Sequence, residues 1–488
     1  LEQAVNWLNG ILWSDPVIYI CLAVGLLFSV LTRFLQVRHI KEMVKLMFQG
    51  KSSKAGISSF QAMSIALSGR VGTGNIAGTA TAIAFGGPGA VFWMWAIAFI
   101  GASSAFVEST LAQIYKVKQD GQYRGGPAYY IEKGIGSKWF AVAFALSALL
   151  AMSVLLPGTQ SNSIATGLKN AFNITPNVTG IILVVIIGLI IFGGVKRIAN
   201  VAQLVVPFMA LAYILISFVI IAMNISELPG VLSLIFKSAF GADAAFGGMI
   251  GMAISWGVKR GIFSNEAGQG TGPHAAAAAE VSHPAKQGLV QAFSVYIDTL
   301  LVCSATAFMI LFTGMYNTVG ADDTIIYRGL AGVEPGPGYT QAAIESALPG
   351  FGSSFVGIAL FFFAFTTIMA YYYIAETNIA YLTFGKNNKL PMFLLKVVLL
   401  FATYYGAIRK ADLAWTLGDI GVGLMVWLNL IAILLLAKPA LVALKDYEKQ
   451  KKQGLDPVFN PEKLGIKNAD YWVNEYDKNN NDKEKLTS

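Results

Sequence analysis

Charge is scarce in this sequence. Only 13% of its 488 residues are Asp, Glu, Lys or Arg while 55% are hydrophobic, against about 25% charged side chains in a typical soluble domain. A soluble fold cannot cover that much apolar surface, so one is excluded. Cysteine is as sparse: Cys21 and Cys303 both lie in apolar runs, which argues against a disulfide framework or a thiolate metal cluster. The three histidines, His39, His274 and His283, match no metal-ligand spacing. No Ser-His-Asp or Cys-His arrangement is evident, so an enzyme is not expected. A repeated pore loop or charged ring, as a channel would need, is also missing. The net charge of +8 gathers in loops beside apolar spans, as the positive-inside rule explains, so no nucleic-acid partner is expected.

What is abundant is long apolar sequence. Crossing the hydrocarbon takes about 20 apolar residues, because about 30 Å must be spanned with every backbone group paired internally. Charge-free stretches run from Pro16 to Thr32, Val71 to Val107, Trp139 to Leu168, Asn170 to Val195, Ile198 to Ser226 and Ala244 to Val258. Others follow Lys286, Ser346, Pro391 and Asp412. The first reads as a retained helix, since it lacks the basic leader of a cleavable signal. The stretch after Val71 is too long for one helix, and Gly86-Gly87-Pro88-Gly89 divides it. The total is about eleven spans.

Basic residues orient them. Arg33, Arg38, Lys41, Lys45, Lys51 and Lys54 follow the first span, and Lys116, Lys118, Arg124, Lys133 and Lys138 the third, so both loops are expected inside. Asp322, Asp323, Glu334 and Glu345 then fall outside, with the N-terminus external and the C-terminus cytoplasmic. Arg409 and Lys410 fall outside against the rule. The segment from Gln36 to Gln49 alternates cations with apolar residues at helical spacing, which suits a helix on the membrane surface or a plain linker helix. The polar tail after about Lys438, broken by Pro457 and Pro461, reads as solvated and partly mobile.

Two polar, glycine-rich interruptions stand at membrane depth: Arg70-Val-Gly-Thr-Gly-Asn-Ile-Ala-Gly78 and Arg260-Gly-Ile-Phe-Ser-Asn-Glu-Ala-Gly268. Both read R-x-x-x-x-N-x-A-G, and they open corresponding helices of two five-span halves of opposite orientation. That is the pattern of secondary transporters with a mid-membrane site. Glycines release the helix ladder and leave N–H and C=O groups that something must bind. A half-helix beginning at Gly74 offers N–H groups to a carboxylate, and freed carbonyls suit a cation or an ammonium group. An amino-acid zwitterion meets both needs; the competing explanation is close helix packing on small residues.

Other polar residues sit within the spans. Phe363, Thr366 and Thr367 share a face at i, i+3 and i+4, where two hydroxyls and a carbonyl suit Na+, although a membrane threonine often bonds its own helix. Glu108, Asp298 and Glu376 are functional candidates because a carboxylate is costly there. Asp298 lies about 18 Å into its span; Glu108 and Glu376 are read as bonding broken backbone. Gln160, after Pro157-Gly158, either faces a substrate or closes the gap left by proline. Trp93 and Trp95 read as an interfacial belt.

Gly-Gly-Pro-Gly-Ala-Val-Phe-Trp-Met-Trp, Gly86 to Trp95, closely resembles the signature of the alanine or glycine:cation symporter family (sodium:alanine symporters). Gly72-Thr-Gly-Asn-Ile-Ala-Gly78 and Lys259-Arg-Gly-Ile-Phe-Ser-Asn-Glu-Ala-Gly268 resemble its other segments. The likeness covers about residues 10–440 and leaves the tail uninformed. It implies an all-α integral membrane protein of the leucine-transporter-type fold, with a 5+5 inverted-repeat core whose first and sixth core helices are discontinuous. On that frame residues 1–56 are an extra N-terminal span and linker helix, 57–223 the first repeat and 224–243 an external connection. Residues 244–437 form the second repeat and 438–488 the tail.

The resemblance further implies symport of L-alanine, glycine or both, with D-alanine open, by a monomer in the plasma membrane. Na+ is the coupling ion and H+ the alternative. It implies a sodium site from backbone of Ser68 and Val71, the Phe363 carbonyl, and the hydroxyls of Thr366 and Thr367. Gly72, Thr73 and Gly74 would take the substrate carboxylate, and carbonyls at Ile262 and Phe263 the ammonium. The fold often offers a tyrosine from the third core helix; none occupies that span here, so Gln160 is the substitute. Asn75 with Asp298 is a possible second cation site, and Phe263 and Trp256 would keep the pocket small.

Overall fold

The computed structural model describes residues 2–50 and 52–476; Lys51 and the tail beyond 476, both assigned above, lie outside the described residues. The chain is mostly helical, with two short antiparallel hairpins, Val117–Gln119 with Gln122–Arg124 and Asn317–Val319 with Ile325–Arg328. Among the described residues eight helical stretches are long and apolar enough to cross a membrane: Glu2–Leu31, Gly89–Ile114, Lys138–Phe172, Gly194–Met223, Pro284–Thr313, Gly352–Leu382, Lys389–Ile408 and Ala411–Leu435. Pro176–Ile191 is a shorter apolar helix. The division at Gly86-Gly87-Pro88-Gly89 is present: Thr79–Gly86 ends on Gly87 at φ +70°, and Gly89–Ile114 begins directly after. Only glycine takes that backbone without strain.

Both polar interruptions break helices, at different places in the shared motif. The first broken helix starts on a capping box, Ser58 with Gln61, runs from Ser59 to Arg70, and resumes as Gly74–Gly78 and Thr79–Gly86. Its break follows the motif's arginine. The second runs unbroken from Ile250 to Asn265 and resumes as Gly272–Ala278. Its break follows the motif's asparagine, which corrects the expectation of an interruption at Ile262 and Phe263. Gly261 does not break the ladder; a Cβ there would lie 2.4 Å from Ile97 Cγ2, so it permits contact with Gly89–Ile114. The turn is made by Glu266 at φ +56°, Gly268 at +82° and Gly270 at +86°.

The broken helices are tied together at one end, where the Ile57 N–H donates to Ala278 O at 3.0 Å and Glu280 N–H to Ile57 O at 2.9 Å. The polar tail departs from expectation. Ala437–Lys452 is a helix, and the chain beyond it packs back, burying Phe459, Tyr471, Trp472 and Tyr476. The Trp472 indole N–H donates to Gln113 O at 2.9 Å and the Tyr471 hydroxyl to Tyr123 OH at 2.9 Å. Composition suggested a solvated segment, but four aromatics dominate its energetics. The linker helices Leu35–Arg38 and Ile40–Met47 bury Leu35, Met43, Leu46 and Met47 against the protein while Val37, Ile40 and Val44 remain exposed.

Candidate functional site

The two breaks meet. A Cβ on Gly74 would fall 3.1 Å from Ser264 Cα and 3.3 Å from Phe263 Cδ1, and one on Gly72 only 2.4 Å from Thr367 Oγ1 and 3.0 Å from Gln160 Oε1. These glycines let four helices close on one point. Gln160 Oε1 accepts the Thr73 N–H at 3.0 Å, and its Nε2 donates to Tyr371 OH at 3.1 Å. The Thr73 hydroxyl is buried without a partner. Leaving such a group unpaired costs about 1–3 kcal/mol.

Behind Gly72 lies an oxygen cluster. The Thr367 hydroxyl is 2.8 Å from Ser68 O, 3.0 Å from Phe363 O and 3.5 Å from Val71 O. Thr366 reaches Phe363 O at 2.9 Å and Phe362 O at 3.0 Å. Thus Ser68, Val71, Phe363 and Thr367 converge, and Thr366 shares only the Phe363 carbonyl. These neutral oxygens are the donor set a hard cation takes, and the fit requires the Thr367 proton to turn away.

Beyond Gly74 lies an acidic pocket. Asn75 Oδ1 accepts the Gly72 N–H at 2.8 Å, and its Nδ2 donates to Asp298 Oδ1 at 2.6 Å. The Ser264 hydroxyl is 3.1 and 3.0 Å from the two Asp298 oxygens, and Thr299 Oγ1 donates to Oδ2 at 2.7 Å. Asn75 and Asp298 are therefore brought together, with Ser264, Thr299 and Cys303 around them. No group of three or more His, Cys, Asp or Glu capable of holding a metal exists among the described residues.

Glu108 bonds broken backbone, as its position suggested. Its oxygens accept the N–H groups of Gly268 and Gly270 at 3.3 and 3.1 Å and the Asn429 amide at 2.7 Å. Glu376 does not: it pairs with Arg124 at 3.1 Å. Ile262 O accepts the Glu266 N–H at 2.9 Å, so it is spent on the helix, and the carbonyls of Phe263 and Ser264 come after that rung. Trp256 stands away from the meeting point, stacked on Phe85 at 4.8 Å between ring centroids. Trp93 and Trp95 hydrogen-bond Ala239 O and Ser304 Oγ.

Above Phe263 is a cavity of about 950 Å³, lined among others by Trp256, Lys259, Arg260, Trp415 and Asp419. Arg260 forms a two-pronged pair with Asp419 at 2.9 and 3.0 Å, Lys259 adds a third contact at 2.7 Å, and Phe263 lies 5.2 Å from Trp415 between centroids. Ser264, Thr299, Tyr371, Trp415 and Asp419 are absent from the sequence expectations. Ser264 was legible, since it sits inside the second motif. The others come from distant helices and carry no local signal.

Comparison with known proteins shows the family. The family model of the "Sodium:alanine symporter family" matches residues 1–461. The chain is 76% identical to YrbD of Bacillus subtilis (strain 168), covering 98% of each chain. It is 58% identical to the "Sodium/proton-dependent alanine carrier protein" of Bacillus sp. (strain PS3), covering 89% of this chain and 98% of that one. Among solved structures, a mutant manganese transporter of Eremococcus coleocola aligns with TM-score 0.52 at 13% identity, covering 83% of this chain and 82% of that one. That likeness speaks to the fold alone. With a family model matched over residues 1–461 and relatives 76% and 58% identical across most of both chains, the chain is a transporter rather than an enzyme and belongs to the sodium:alanine symporter family.

Proposed function

We propose that this chain carries alanine, and glycine by the same contacts, into the cell together with Na+, by alternating access. The observation that carries the reading is the point where the break in the first helix, at Gly72 and Gly74, meets Thr367, Gln160, Phe263 and Ser264, with Gln160 accepting the Thr73 N–H. A carboxylate there would take the Thr73 hydroxyl and the N–H groups opening the Gly74 half-helix, with Gln160 held in place by Tyr371. The ammonium group would face the carbonyls of Phe263 and Ser264, past the last rung of their half-helix. In this reading the bulk of Phe263, with Trp415 packed against it at 5.2 Å between centroids, would select a methyl side chain over longer ones by clash. Na+ would be held by Ser68, Val71 and Phe363 carbonyls with the Thr367 hydroxyl, and Thr366 would act at the edge of the set through the shared Phe363 carbonyl. Asp298 with Asn75 offers a second cation or a proton a carboxylate, which is where H+ coupling would act. The relative from strain PS3, named for sodium and proton dependence, supports either ion.

In this reading the eight long helices, Pro176–Ile191 and the two broken helices are the eleven spans. Two inverted repeats, 57–223 and 244–437, and external N- and cytoplasmic C-termini complete it. The large cavity then opens outward onto the Arg260–Asp419 pair, while Glu108 and Asn429 hold the second break from below. In this reading D-alanine is admitted, since no side chain is committed to the Cα hydrogen, and one copy suffices. Sodium-gradient-driven accumulation of labelled alanine in proteoliposomes tests it: equal uptake with choline or K+ replacing Na+ removes sodium coupling, and response to a pH gradient alone assigns H+.

A further inference from the structure

Helix Ala437–Lys452 leaves the last long span, Ala411–Leu435, yet its far end carries Glu448, whose carboxylate pairs with Arg33 and Arg38 at 2.7 Å each and with His39 at 3.0 Å. Arg33 follows directly on the span Asp15–Leu31. Both ends of the helix are thus held where spans leave the hydrocarbon, so it lies along the membrane face rather than projecting from it. Lys445, Lys449 and Lys452 fall at i, i+4 and i+7, on one side of it. All three are exposed and none is within ion-pair distance of a carboxylate among the described residues, although Asp446 lies near enough to Lys449 to feel its charge.

These lysines and Arg33 border a recess of about 680 Å³ whose wall also includes Leu31, Glu448 and Gln453. Leu31, with Leu27 and Val30 from the turn before it, is exposed on the outer surface of the span. Four cations therefore face one carboxylate that Arg38 and His39 already share, directly above an apolar wall that only acyl chains would cover. We propose that this recess binds the phosphate headgroup of one anionic phospholipid, with its acyl chains along Leu27, Val30 and Leu31. Basic recesses beside helices at the membrane surface select such headgroups. The apolar wall favours the lipid over free phosphate, which would gain nothing from it.

The test is titration of the purified full-length protein with phosphatidylglycerol or phosphatidylcholine of matched chains, at about 0.15 M salt, read by native mass spectrometry. The native protein is expected to retain one phosphatidylglycerol in preference to phosphatidylcholine. The triple variant K445Q/K449Q/K452Q should weaken that binding on the order of 100-fold, and Lys449→Gln alone about five-fold. The single variant decides the matter if the triple one does not fold. Equal retention of both lipids, or unchanged retention in the single and triple variants, overturns the proposal. Displacement of the lipid by millimolar inorganic phosphate, with phosphate itself retained, would reassign the site to the free anion and likewise overturn it.

Discussion

Gly72 and Thr367 share one constraint, seen from two helices. The backbone at Gly72 passes so close to the Thr367 hydroxyl that any Cβ would sit 2.4 Å from it, and the same hydroxyl lies among three carbonyls. Gly72→Ala is therefore expected to push the first broken helix off Gly352–Leu382 and abolish uptake, while leaving a folded, extractable protein. Thr367→Ala removes the one hydroxyl at the convergence point, a loss of about 1.5–3 kcal/mol for a group on a charge. The sodium concentration for half-maximal uptake should rise about ten-fold or more. Thr366→Ala, whose hydroxyl shares only Phe363 O with that cluster, should raise it less; an equal effect of the two would refute the assigned geometry. Spacing on one helix brought Phe363, Thr366 and Thr367 to notice, because i, i+3 and i+4 is a local rule. It could not rank the two threonines, since that depends on which faces Ser68 and Val71 on another helix.

At the scale of elements, glycine content announced both breaks, but not what each glycine is for. Gly72 and Gly261 give space to a neighbouring helix; Gly268 and Gly270 supply positive φ. The letter is the same and the constraint differs, which is why the second break lies past Asn265 instead of at Gly261. Gly268→Ala, at φ +82° with Leu430 Cδ2 3.0 Å from the new Cβ, should cost about 1–2 kcal/mol and lower the thermal midpoint. The C-terminal segment, the strap that packs back after Lys452, was illegible for another reason: its aromatics gain energy only by packing on other elements, here Gln113, Tyr123 and the aliphatic stem of Lys116, whose Nζ lies 4.4 and 4.6 Å from the Tyr123 and Tyr471 ring centroids. Burial pulls the Lys116 ammonium down to about 7, with Glu280 opposing. With the strap displaced, Lys116 regains hydration and its ammonium moves back toward the ordinary range while keeping Ala279 O and Glu280 beside it, so the docked state binds fewer protons. Docking should therefore strengthen as pH rises from about 7 toward 10. Protection of the strap against limited proteolysis, measured at pH 7 and 9, checks the sign. Lys116→Met should flatten the dependence.

At the scale of the molecule, parity decides the topology. Eleven spans place the two ends on opposite sides of the membrane, whereas losing or gaining one span puts them on the same side. Among the described residues eight helical stretches are long and apolar enough to cross, an even number; the proposed count adds the short Pro176–Ile191 and the two broken helices. The two native cysteines suit a direct measurement, as Cys21 and Cys303 are buried and should resist a membrane-impermeant maleimide. Single cysteines at the exposed Gln3, at Glu334 beside the large cavity, and at Gln453 beside the basic recess then report three positions. Gln3→Cys and Glu334→Cys should label in intact cells, and Gln453→Cys only after permeabilisation. Labelling of Gln3→Cys and Gln453→Cys from one side would break the odd count, and the two halves would then stay opposed only if the span lost is the extra N-terminal one. Labelling of Glu334→Cys from within would invert the molecule and turn the cavity above Arg260 and Asp419 toward the cytoplasm. Alanine supplied outside before labelling should slow the reaction at Glu334→Cys, because occupancy beneath Phe263 favours closing the path above it.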